Sequence, residues 1–86
     1  MLVVKKFSAE WCQPCRQMAP VFDEVKTENP NIQFIEIDVD TNRDIAIQSG
    51  VSSVPTIIFE KDGQQVYRFS GVKPKSAINN IIKQYS

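Results

Sequence analysis

Residues 9–15 read Ala9-Glu10-Trp11-Cys12-Gln13-Pro14-Cys15 and hold both cysteines of an 86-residue chain. The stretch just before it, Leu2 to Phe7, reads as a short strand. The stretch just after it turns helical: from Pro14 to about Glu28, Met18, Val21, Phe22 and Val25 fall on one face and Asp23, Glu24 and Lys26 on the other. The cysteine pair therefore stands at a strand-to-helix junction. A helix start presents unpaired N–H groups and partial positive charge, which stabilise a thiolate over its thiol. Cys12, at or before the first turn, gains most and is expected to be the more exposed nucleophile; Cys15, one turn on, is expected to lie deeper. Pro14 stiffens the turn and suits a first helical turn, where its missing N–H costs nothing. A lone C-x-x-C also has plainer readings: half of an intermolecular zinc site, an inert thiol pair, or coincidence.

Composition narrows the field. Ten basic residues balance ten acidic ones, which argues against nucleic acid as the main partner. No apolar run is long enough to span a bilayer. The chain has no histidine, so Ser-His or Cys-His nucleophile pairs and His-ligated metals are excluded. Two cysteines are too few for a disulfide-stapled mini-protein or a four-sulfur zinc site within one chain. The first residues, Met1-Leu2-Val3-Val4-Lys5-Lys6, lack the pattern of a signal peptide, and the reading points to the cytosol.

Outward from the junction, residues 1–86 read as a single domain. Ile32 to Val39 is a second strand; Thr41 or Asn42 could cap a short helix through Gln48, stopped by Gly50. Val54 to Glu60 is a third strand, and Lys61-Asp62-Gly63-Gln64 a tight hairpin turn into a fourth, Val66 to Phe69. Lys73-Pro74 opens a last helix whose apolar stripe is Ile78, Ile81, Ile82 and Tyr85. Pro20 should kink the first helix, and Asn29-Pro30-Asn31 ends it. The order is βαβαββα. Parallel pairing is expected across the strand–helix–strand units and antiparallel pairing in the hairpin, giving an α/β fold with a four-stranded mixed sheet flanked by helices.

Trp11-Cys12-Gln13-Pro14-Cys15 resembles the active-site motif of the thioredoxin family, with Gln13 where the family usually has glycine. Arg16-Gln17-Met18-Ala19-Pro20 is similar to the helix after that motif, Phe34 to Asp38 to its next strand, Ser53-Val54-Pro55-Thr56 to its cis-proline segment, and Gly71 to the glycine bordering its substrate groove. The resemblance implies a thioredoxin-like fold and a thiol–disulfide oxidoreductase that reduces protein disulfides. Cys12 would attack, Cys15 would resolve, and the Cys12–Cys15 disulfide would be the only redox group, with no bound cofactor and no metal. Trp11, Gln13, Pro14, Val54, Pro55 and Gly71 would form the substrate surface, with Pro55 in cis and the backbone of Val54 a strand-like edge for an extended peptide. The electron donor implied is an NADPH-dependent flavoprotein reductase. A glutaredoxin-like protein using glutathione, or a non-catalytic module bridged by zinc, are the alternatives.

Two departures from the family stand out. The family usually has a further strand and helix before the strand leading to the cysteines, so a trimmed fold with more open sheet edges is expected. Six residues before Cys12 the family usually has a buried aspartate, and here stands Lys6. The lysine that partners that aspartate aligns with Phe34, which would leave no carboxylate–lysine pair. Lys6, if charged beneath the cysteines, would favour thiolate and make the couple more oxidising. Lys5 and Lys6 must face opposite sides of the sheet. Glu10, Asp23, Glu24, Asp38, Asp40 and Asp44 read as solvated faces and caps.

Overall fold

A strand with alternating side chains can serve two layers, and β1 (Leu2–Ser8) does so. In a computed structural model that describes residues 1–86, β1 lies second in a four-stranded sheet of order β2-β1-β3-β4. It pairs in parallel with β2 (Gln33–Asp38) and antiparallel with β3 (Thr56–Lys61), which pairs antiparallel with β4 (Gln64–Ser70). The mixed sheet is as expected. The second crossover differs: the six-residue α2 (Arg43–Gln48) returns the chain beside β1, not β2, and β3 runs against β1.

Leu2 and Val4 turn toward α1 (Gln13–Glu28) and α3 (Lys75–Tyr85), packing with Met18, Phe22, Val25, Ile57, Phe59, Phe69, Ile78 and Ile82. Phe7 turns the other way, onto Ile37, Ala46 and Ile58 beneath α2. The predicted helical stripe is thus the core stripe. Lys5 and Lys6 part as alternation requires: Lys5 Nζ is 3.0 Å from Glu60 Oε2, and Lys6 Nζ is 2.9 Å from Glu36 Oε1.

Several expected boundaries shift. The first helix starts at Gln13 and continues through Pro20 to Glu28. The third strand starts at Thr56, not Val54, because the Val54–Pro55 peptide is cis and turns the chain out of the extended ladder. The fourth is longer than Val66–Phe69, since Asp62 and Gly63, at φ 54° and 83°, close the hairpin tightly enough to pair Gln64 with Lys61. Asn42 stands at the N-cap of α2, but its side chain does not cap the helix; its Nδ2 donates to the Asp38 carbonyl instead.

Candidate active site

The end of β1 delivers the chain to α1 through Ala9–Trp11, and the helix begins with Cys12 as its N-cap. The Cys12 backbone is extended, and its Sγ accepts a hydrogen bond from the Cys15 N–H at 3.2 Å. One otherwise orphaned helix donor is thereby aimed at sulfur. The two sulfurs are joined as a disulfide, with Cα atoms 5.3 Å apart. Cys12 Sγ also lies 3.7 Å from the Val54 carbonyl oxygen, close enough for the thiol of the reduced protein to donate to it.

The depth expected of the two cysteines is not what the fold produces. Cys12 is 4% and Cys15 6% exposed, so neither is the outer one. Ala9, Val39 and Val54 close over both. What separates them is their surroundings. Cys12 receives the helix N–H, whereas Cys15 borders a cavity of about 440 Å³ with Lys6, Ser8, Ala9, Glu10, Arg16, Ala19 and Asp38.

The other predicted site residues surround this pair. Trp11 is 67% exposed, so it is no core aromatic; its Nε1 donates to Asp40 Oδ2 at 2.8 Å. Gln13 and Pro14 are exposed on the first turn of α1. Pro55 is buried and cis, as expected from the resemblance, and its carbonyl accepts the Gly71 N–H at 2.9 Å. Gly71 adopts φ 90°, a conformation that side chains disfavour. Thr56 Oγ1 lies 2.7 Å from the Ser53 carbonyl and 2.9 Å from Ser70 Oγ, tying the bend to β4. Val54 is half-buried at that bend and is not part of a strand; its edge is a cis-peptide turn beside Cys12.

No group of three or more Cys, Asp or Glu side chains is placed to hold a metal ion, and no helix is long and apolar enough to cross a membrane. A family model described as Thioredoxin matches residues 1–84. The chain belongs to the thioredoxin family. A thioredoxin of Chlamydia muridarum is 39% identical over 84 residues, covering 98% of this chain and 82% of that protein. A thioredoxin of Ophiophagus hannah is 40% identical over 84 residues, covering 98% of this chain and 79% of that one. The X-ray structure of Fasciola hepatica thioredoxin matches with a TM-score of 0.92 at 38% identity, covering 99% of this chain and 81% of that chain. As a thioredoxin-family member the chain is a protein-disulfide oxidoreductase, working by dithiol exchange through Cys12 and Cys15.

Phe34 is not across from Lys6; it pairs with Val4 and its ring stands edge-on to Phe22, 5.5 Å between centroids. The residue in register with Lys6 is Glu36. A carboxylate–lysine pair is therefore present, with the lysine on the strand that leads to the cysteines and the carboxylate on its neighbour. Hydrogen bonding from Lys6 lowers the pKa of Glu36, helped by the charges of Lys6 and Lys26 and opposed by partial burial. Period-two alternation along β2 would have found Glu36, because Phe34, Glu36 and Asp38 share the face that meets α1. Asp40 carried no such signal: its pairing with Trp11 spans 29 residues.

Proposed function

We propose that this chain reduces protein disulfides, with Cys12 as the attacking thiolate, Cys15 as the resolving thiol, and no resident cofactor beyond the Cys12–Cys15 couple. The carrying observation is the Cys15 N–H directed at Cys12 Sγ, which stabilises negative charge on that sulfur. Cys12 thiolate attacks a substrate disulfide and forms a mixed disulfide, releasing one substrate thiolate. Cys15 then loses its proton to water and attacks Cys12 Sγ. The mixed bond breaks, its electron pair leaves on the second substrate sulfur, and the Cys12–Cys15 disulfide closes. Trp11, Gln13, Pro14, Val54, Pro55 and Gly71 frame the docking surface, and an NADPH-dependent flavoprotein reductase in the cytoplasm returns the two electrons.

Insulin reduction tests this directly. With NADPH and a thioredoxin reductase, turnover is expected, lost in Cys12→Ser; Cys15→Ser should accumulate a mixed disulfide at Cys12. Turnover supported only by glutathione and glutathione reductase would replace the reading with a glutaredoxin-like one. Stoichiometric zinc without either activity would replace it with a binding module.

A further inference from the structure

Of the 20 buried residues, Lys6 is the single charged one, at 5% exposure. Its placement has three supports. Its neighbour across β3 is Ile57, and its ammonium lies 4.8 Å from the centroid of the Phe22 ring and 2.9 Å from Glu36 Oε1. An ammonium held by a carboxylate and an aromatic face stays fixed in the wall it belongs to. That wall is the cavity bordered by Cys15, and Cys12 is not part of it. The remaining charges there are placed otherwise. Glu10 and Arg16 are exposed, and the Arg16 guanidinium is bound to the Glu10 carbonyl at 2.8 Å. Asp38 is half-buried, its Oδ1 accepting the Asp40 N–H at 2.8 Å. Lys26 contributes positive charge toward Glu36 from α1.

We propose that Lys6 is a positioning residue for the dithiol exchange, its ammonium, tethered by Glu36, holding positive charge toward Cys15 whenever that sulfur is a thiolate. The inference rests on the exchange proposed above and adds a division of labour. The helix start serves Cys12, and Lys6 serves Cys15. When the resident disulfide is opened by a donor thiolate attacking Cys12, the S–S electron pair leaves on Cys15, which later takes a proton from water. In the resolving direction, Cys15 gives its proton to water before attacking. Both routes pass through the same anion, so Lys6 eases both, and at pH values where Cys15 stays ionised in the reduced protein it also favours the reduced form over the disulfide.

Equilibration of the purified protein with glutathione buffers, with titration of the Cys15 thiol in a Cys12→Ser background, tests this. Lys6→Met should move Cys15 ionisation to higher pH and, with the buffers held at a pH above that ionisation, lower the reduced-to-oxidised ratio about tenfold, about 30 mV toward the reducing side. Lys6→Arg should stay close to the parent protein. Glu36→Gln, whose amide oxygen can still accept from the Lys6 ammonium, should move the ratio the opposite way, because it removes negative charge beside Lys6 and leaves the tether. Opposite signs would not arise from mere loosening of the fold. The Glu36 side chain is 54% exposed, so that variant keeps the test available should Lys6→Met fail to fold. An unchanged ratio in Lys6→Met, or a shift of the same sign in both variants, would overturn the proposal. Absence of any reversible Cys12–Cys15 couple would instead overturn the exchange reading itself.

Discussion

The backbone N–H of Cys15 points at the sulfur of Cys12 across 3.2 Å, so the first turn of α1 solvates its own N-cap side chain. Hydroxyls and carboxylates are the preferred side-chain acceptors at helix starts; here the cysteine sulfur takes that place, and the preference of such a donor for an anion falls on the proposed nucleophile. In Cys15→Ser, alkylation of Cys12 by iodoacetamide should reach half its limiting rate below the free-thiol value of about 8.5. A midpoint at or above that value would remove the electrostatic basis for assigning Cys12 as the attacker.

Much of this site was legible in the linear chain, and the reasons are local. The helix start, the Asp62-Gly63 turn and the Met18–Val25 stripe follow from spacing and backbone preference, which neighbouring residues decide among themselves. Cys12 and Cys15 fall within a single turn, so their proximity needed no tertiary information. Two of the missed features depend on which distant segments meet. The Lys6–Glu36 pair needs the β1–β2 register, and the equal burial of the two cysteines needs Val39 and Val54 brought over them from distant segments. The start of β3 differs from the expected one for a local reason: Val54 is β-branched and reads as extended, while the cis peptide after it sets a bend.

Gly71 joins the hairpin to the proposed substrate surface through its N–H to the Pro55 carbonyl. A Cβ at this position would meet nothing within 4 Å, so space does not restrict it; its φ of 90° does. Replacing glycine by alanine usually stabilises slightly by restricting the unfolded chain, whereas here the left-handed conformation should reverse the sign. Gly71→Ala is expected to lower unfolding free energy by about 1 kcal/mol, measured by urea denaturation. A stability equal to or above the parent would show that this backbone relaxes freely.

Phe22 supports both the core and the charge beside it. It is 1% exposed, stands edge-on to Phe34, and carries the Lys6 ammonium over its ring. Phe22→Ala should cost about 3–5 kcal/mol, a large part of the roughly 5–15 kcal/mol that keeps a small domain folded. Phe22→Leu retains most of the volume and should fold, with a smaller loss. If Phe22→Ala shifted the urea midpoint no more than a surface substitution, the packing of α1 on β1 would be looser than described.

Glu28 fastens α1 to α3: Lys75 Nζ is 2.8 Å from Oε2 and Asn79 Nδ2 is 3.1 Å from Oε1. The Lys75 hydrogen bond lowers the pKa of Glu28 below its ordinary 4.5, with help from Asn79 and against slight desolvation. Glu36 is lowered likewise, by Lys6. In both cases the unfolded chain binds protons more readily. Their contribution is therefore complete above 4.5 and lost as pH falls through the lower folded values. Lys75 is the mirror case, raised above 10.5 by Glu28; its share is complete below 10.5 and lost as pH climbs through the folded value. Glu28→Gln should thus flatten both the acid limb below 4.5 and the alkaline limb above 10.5 in urea midpoints, whereas Glu36→Gln should flatten only the acid limb. Because Glu28 and Lys75 are solvent-accessible, added salt should shrink the Glu28 effect. An acid limb untouched by Glu28→Gln would mean the clasp contributes nothing that protonation can remove.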